Sequence, residues 1–202
     1  MTLFFREHEI DSIEVNRWPG AGNLRVAIDT FFDPDHRRLR EVILDRGGKA
    51  PEDFEVAVIR LFNLLNVHLI WYGKGVTAGR PDVAGYLEQG DRKVVIVGEC
   101  TLEGPVRKLS GLVERAKELR DRYASEVEVL PVVFTRARTT ESETRQAVEH
   151  GIALVGHEEL LQLFKVLETP GKPEMAVEFL WELQAGYILE LPLRHWGRQS
   201  NV

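Results

Sequence analysis

The chain has 202 residues, with 26 Lys+Arg against 32 Asp+Glu for a formal charge of −6, and is 44% hydrophobic and 29% charged. Those proportions exclude general disorder and fit one domain of about 150 residues with about 50 residues of extension. The single cysteine excludes a disulfide framework and a cysteine-based zinc site, and is compatible with a reducing cytoplasm. Charges at Arg6, Glu7, Glu9, Asp11, Glu14 and Arg17 interrupt any apolar run of signal-peptide length. No run approaches the about 20 residues of a membrane span, so no membrane partner is expected. The negative charge argues against a sequence-indifferent coat on nucleic acid, but leaves room for a local basic groove on an acidic body.

Residues 1–50 form an N-terminal β-hairpin-containing extension in this reading. The runs SIEVNRW (12–18) and NLRVAID (23–29) flank Pro19-Gly20-Ala21-Gly22, the pattern of a hairpin with a longer loop. The charged run HRRLREVILDRGG (36–48) predicts a short helix closed by Gly47-Gly48. Residues 52–67 predict a strong helix, entered through Pro51 with acids in its first turn. Its apolar arc of Phe54, Ala57, Val58, Ile59, Leu61, Phe62, Leu64 and Leu65 encloses Glu55, while Arg60, Asn63 and Asn66 fall on the side expected to be solvated. A carboxylate inside an apolar arc is costly unless it meets a cation or a metal.

Three strand-like runs follow at 68–73, 81–88 and 92–100, the last two joined by the hairpin signal Gln89-Gly90-Asp91. Val94 to Val97 is the continuous apolar run of a strand buried on both faces, and it stops at Glu99. A long helix at 105–123 carries Val106, Leu109, Leu112, Val113, Ala116 and Leu119 on one face. Then come a buried strand (127–135), a helix opened by a Thr cap (140–150), a short strand (152–156) and a helix (157–167). After the break at 169–173 stand a short helix near 174–185 and a tail with Arg194, Trp196 and Arg198. The order is α/β, a mixed sheet with helices on both sides, and the chain divides into 1–50, a core at 51–168, and a C-terminal helix and tail at 169–202.

Asp82 and Glu99 stand out. Both lie on neighbouring predicted strands, and two adjacent carboxylates repel unless a divalent cation lies between them; the alternative is a pair of strand-end acids facing solvent. Such a site favours Mg²⁺, which takes one or two carboxylates plus waters and phosphate oxygens. Cys100 reads as a small buried hydrophobe rather than a nucleophile. His150 and His157 lack the spacing of a helical metal pair, and the glycines at 73, 75 and 79 lack the helix and Lys-Ser/Thr of a phosphate-binding loop, so no nucleotide cofactor is expected. Tyr72, Lys74 and Arg80 in that loop either touch a phosphate backbone or are solvated.

Taken together, Phe54-Glu55 on a helix, Pro81-Asp82, Gly98-Glu99-Cys100-Thr101 after an apolar strand, an amphipathic basic helix and a buried strand resemble the PD-(D/E)XK nuclease superfamily. The resemblance covers residues 50–165 and implies a restriction-endonuclease-like core of αβββαβ order. It implies a metal-dependent DNA nuclease, with Asp82 and Glu99 as ligands of Mg²⁺ or Mn²⁺ and the Cys100 carbonyl as a third. Glu55 matches the acid of the first core helix, which supports a metal or its water. The family's lysine belongs two residues after the glutamate, where this chain has Thr101. Some members carry it on the following helix, which points to Lys108.

Arg115 and Arg122 share Lys108's side of that helix, and 105–123 holds six Lys and Arg against three acids, so Arg107, Arg115 and Arg122 are the expected phosphate contacts. The arginines at 37, 38 and 40 add a second basic run. With Thr101 in the lysine position, a weakly active or inactive nuclease-fold module that binds nucleic acid or assembles with partners is the alternative. Trp181, Trp196 and the helix near 174–185 are candidates for a homodimer interface.

Overall fold

The structure is a computed structural model that describes residues 2–5, 8–12, 23–44, 50–73, 80–89, 92–123, 127–168 and 174–186. The run at 12–18 beyond Ser12, the turn at 19–22, Gly47-Gly48, Lys74, Gly75, Gly79, Gly90-Asp91, the break at 169–173 and the tail with Arg194, Trp196 and Arg198 lie outside the described residues.

Strands β1 (Thr2–Phe5) and β2 (His8–Ser12) pair antiparallel as a separate two-stranded sheet. Then α1 (Leu24–Phe32), a 3₁₀ turn (Pro34–His36), α2 (Arg37–Leu44) and α3 (Pro51–Leu64) lead into the main sheet. That sheet contains β3 (His68–Trp71), β4 (Val83–Gln89), β5 (Arg92–Thr101), β6 (Glu128–Thr135) and β7 (Ala153–Val155) in spatial order β3-β4-β5-β6-β7. The first three form an antiparallel meander, and Gln89 pairs with Arg92 across the tight β4–β5 turn. From β5 onward the pairing is parallel, which requires crossovers, supplied by α4 (Val106–Tyr123) and α5 (Glu141–Glu149). Helices α6 (His157–Glu168) and α7 (Glu174–Gln184) complete the chain. The expected mixed α/β architecture is observed, with the Thr140 cap of α5 in a reciprocal capping box with Glu143.

Strand alternation divides the core. Leu69, Val83, Val94, Ile96, Cys100, Leu130, Val132 and Phe134 face α1, α2, α3, α6 and α7. Val95, Val97, Val129 and Val133 face Leu109, Leu112 and Ala116 of α4 and Ala147 of α5. The odd-numbered side of β5, where Glu99 stands, is therefore the α4 side.

Three sequence expectations are revised. Residues 24–29 are helical rather than a strand: Leu24, Val26 and Ile28 alternate as a strand would, but the Asn23 side chain accepts the N–H groups of Arg25 and Val26 as an N-cap. Arg60 is not on a solvated side of α3; it forks onto both Asp29 oxygens at 2.7 and 2.9 Å and reaches Asp33 at 2.9 Å. The basic run on α2 is partly consumed, since His36 is buried on Asp29 at 2.7 Å and the Arg40 guanidinium lies 4.6 Å from the Phe164 ring centroid. Trp181, a candidate for a homodimer interface, is half-buried against the core beneath the Arg92 guanidinium at 3.8 Å.

The Asp29–Asp33–His36–Arg60 cluster holds a strained bend. Asp35 and His36 have φ of 56° and 52°, left-handed values costly for residues with side chains. Asp33 caps the following turn by accepting from Arg38 and Leu39. Burial opposes the charge of Asp29 and Asp33, yet their hydrogen bonds and the nearby cation hold both carboxyls below the usual range. For such groups the stabilisation is complete above the unfolded carboxylate pKa and disappears as pH falls through the folded value. Arg60→Ala is expected to lower unfolding free energy by about 2 kcal/mol, the scale of charge-assisted hydrogen bonds on a partly exposed guanidinium, and to flatten the acid dependence below about pH 4. Urea melts of both proteins across that range check it.

Candidate active site

The site begins with the end of β5. Val97 and Glu99 point toward α4, and Cys100 points into the opposite core. One step beyond the Val83–Gly98 pair, the β4–β5 register sets Asp82 across from Glu99. Gly98 permits this: a Cβ there would lie 2.5 Å from Val83 Cγ2 and 2.9 Å from the Phe134 ring, so a side chain would push β4 away beside the two acids.

Asp82 Oδ2 accepts the Cys100 N–H at 2.8 Å and the Lys108 amine at 3.3 Å. The same amine donates to Glu99 Oε2 at 2.7 Å, so one lysine bridges both carboxylates. Arg115, two turns further along α4, donates to Glu99 Oε1. Glu99 is only 4% exposed, and two cations offset its burial. Burial works against the charge on Lys108, but its hydrogen bond to Glu99 and the charges of Glu99 and Asp82 outweigh it and raise the amine's pKa.

Two residues after Glu99 stands Thr101, and the lysine that reaches the two carboxylates, Lys108, comes from the helix instead. Thr101 is occupied elsewhere, its hydroxyl accepting the Glu103 N–H at 3.2 Å, while Thr135 donates to the Glu103 carbonyl at 2.7 Å. These bonds shape the turn that starts α4 where Lys108 reaches back to the strand. Of the three arginines expected on phosphate, Arg107 and Arg122 are exposed, whereas Arg115 is turned onto Glu99.

Glu55 is half-buried at the edge of the site and does not join a three-carboxylate cluster. Its Oε2 accepts the Trp71 indole N–H at 2.7 Å. Burial pushes the Glu55 carboxyl above its ordinary pKa, and the charges of Asp82 and Glu52 push the same way against the pull of Trp71 and Lys108. Trp71 has no signal in a one-dimensional motif; its role follows from pairing with Val83, the neighbour of Asp82. Burial, with Asp82, Glu55 and Glu99 nearby, pushes the Cys100 thiol well up, so it is no nucleophile. His150 is exposed at the end of α5 and His157 opens α6, and neither joins a metal-ligating group.

Among the described residues, no group of three His, Cys, Asp or Glu side chains can hold a metal ion by itself. Asp82, Glu99 and the Cys100 carbonyl are all oxygen donors, and two carboxylates with waters completing the shell are the set Mg²⁺ uses, so the residues fit that class of ion.

No protein-family model and no curated protein sequence matches the chain. Among solved structures it is similar to the restriction endonuclease FokI bound to DNA, with TM-score 0.52 and 11% identity over 84% of this chain and 33% of that one. It also aligns with the small subunit of the heterodimeric restriction endonuclease R.BspD6I, at TM-score 0.45 and 14% identity over 75% of this chain and 97% of that one. The chain spans about a third of the FokI chain it matches. Its fold is restriction-endonuclease-like.

Since the folded Glu55 carboxyl titrates high, folding favours its neutral form, and the wild type loses stability relative to Glu55→Gln as pH rises from the ordinary glutamate range through the folded value. Trp71→Phe, which removes the indole donor, is expected to raise that value further. Carbon-detected NMR titration of the Glu55 carboxyl checks both.

Proposed function

We propose that this restriction-endonuclease-like fold houses a metal-dependent nuclease that hydrolyses phosphodiester bonds in DNA. The observation that carries the reading is the Lys108 amine bridging Asp82 and Glu99 at the end of the sheet. Two carboxylates able to hold a metal, with a lysine in reach to meet developing charge, suit metal-assisted phosphoryl chemistry. The contact also weakens the inactive-module alternative, because the positive charge absent at Thr101 is restored in space.

Asp82, Glu99 and the Cys100 carbonyl would hold Mg²⁺ or Mn²⁺, which when bound supplies Lewis acidity and lowers the pKa of a coordinated water. The remaining roles belong to the chain. Lys108, with 37% of its side chain exposed, can turn from the carboxylates to charge developing on the phosphate. Arg115 holds Glu99 by one oxygen and keeps its buried charge compensated. Glu55, raised toward neutrality, is placed to accept a proton at the rim. Arg107 and Arg122 on the exposed side of α4 position the DNA backbone without reading bases.

Purified protein incubated with supercoiled plasmid and with single-stranded DNA is expected to cut in Mg²⁺ or Mn²⁺ and to stop in EDTA. Asp82→Asn and Glu99→Gln are expected to reduce cutting about a hundredfold or more, and Lys108→Ala by about 10²–10³. Cutting that survives both carboxylate changes overturns the assignment.

A further inference from the structure

Helix α4 packs over β5 and β6, and α5 over β7, so among the described residues no helix covers the same face of β3 and β4. Strand register identifies what lies there. The Tyr72 N–H bonds to the Asp82 carbonyl at 3.1 Å, which continues the β3–β4 ladder by one residue beyond Trp71 and Val83. Alternation then puts Tyr72, Ile70 and Tyr86 on the face that carries Asp82 and Glu99, while Leu69 and Val83 turn into the core. All three are exposed, at 43%, 59% and 43%. They form an apolar floor that starts beside Asp82 and runs down the sheet away from the carboxylates.

Arginines stand at both ends of this floor. Arg80 stands over the Tyr72 ring, its guanidinium 6.0 Å from the centroid. At the far end Arg25 meets His68, the cross-strand partner of Tyr86, at 3.1 Å. Along one side rises α4, with Lys108 and Arg115 aimed at the acids. The Tyr86 hydroxyl donates to Glu88 at 2.6 Å, which fixes the ring.

We propose that Tyr72, Ile70 and Tyr86 form a stacking platform for unpaired bases, so that the substrate strand is single-stranded or locally unwound where it approaches Asp82 and Glu99. This rests on the nucleic-acid reading of the site and names its substrate class. Two exposed tyrosine rings on either side of Ile70, with Arg80 and Arg25 at the two ends, match single strands, because each base offers a face to stack and the backbone meets the cations. In a duplex those faces are buried in the helix and unavailable to the floor.

The test is fluorescence anisotropy of the full chain in EDTA, so that nothing is cut, with a labelled single strand and a blunt duplex of the same sequence. Deoxyribo- and ribo-oligomers run as parallel arms, and ring-dependent binding of either upholds the platform. Tyr72→Ala and Tyr86→Ala are each expected to weaken single-strand binding about 5- to 150-fold, the fold-change for losing one base stack. Tyr72→Phe and Tyr86→Phe should bind within about twofold of wild type, which separates loss of the ring from loss of the fold. Duplex binding equal to or tighter than single-strand binding, or alanine variants that bind single strands like wild type, overturns the proposal. Ring-dependent single-strand binding with no cutting in any metal upholds the platform and overturns only the nuclease reading. Metal-dependent cutting of duplex that both alanine variants retain overturns the platform and leaves the nuclease reading intact.

Discussion

The charge on Glu99 organises this molecule. A carboxylate at 4% exposure costs several kcal/mol unless cations and hydrogen bonds replace its water. Lys108 and Arg115 supply them, and they can do so only if α4 lies on β5 with one stripe facing the strand end. Leu109, Leu112 and Ala116 form the adjoining stripe and are fully buried against Val97 and Val133. Apolar packing and charge compensation thus fix the same rotation of the same helix. The turn from Thr101 to Pro105 fixes where that helix begins, and the parallel pairing of β5 with β6 makes the crossover necessary.

The Asp29–Asp33–His36–Arg60 cluster follows the same electrostatic rule with a different result. There each carboxylate meets its donors inside a helix junction, and the cluster stabilises a left-handed bend that the chain would otherwise avoid. At the strand ends compensation is less complete in kind. The cations retain solvent access, with side-chain exposures of 37% for Lys108 and 25% for Arg115, and a nearby glutamate is pushed toward its neutral form rather than held charged. The two clusters thus differ in how their cations meet solvent and in the direction in which burial and neighbouring charge move the adjoining carboxyls.

Much of this was legible in one dimension because periodicity is a local property. The helices at α3 through α6 and strands β4 to β7 follow from apolar spacing and caps, as with Thr140 and Glu143 on α5. Asp82 and Glu99 were legible because a buried run ending in an acid beside a Pro-Asp strand is unusual. Most of the failures come from contact across long sequence separations, with a local cap contributing at residues 24–29. Residues 24–29 satisfy both the strand and the helix period, and the Asn23 cap and the bond from Arg60 to Asp29 decide between them. Arg60 looked solvated because its two acid partners lie on an element assigned the wrong geometry. Arg115 looked like a phosphate contact because a helical wheel shows which side a residue is on and not what stands opposite. Trp71 carries no motif at all; it matters because β3 pairs with β4 next to Asp82.

The net charge of −6 is compatible with a polyanionic substrate once its distribution is considered. Two of the acids nearest the site are compensated within the fold: Lys108 is shared by Glu99 and Asp82, Arg115 adds to Glu99 and the Cys100 N–H to Asp82, while burial and neighbouring charge raise the pKa of Glu55. Helix α4 presents its remaining arginines outward from the same place. Arg107 and Arg122 are exposed there while Lys108 and Arg115 are held by the acids, so the net charge alone does not describe this end of the sheet. The open face of β3 and β4 completes that geometry, because a sheet covered on this side by a further helix would leave the two carboxylates accessible only from the strand ends.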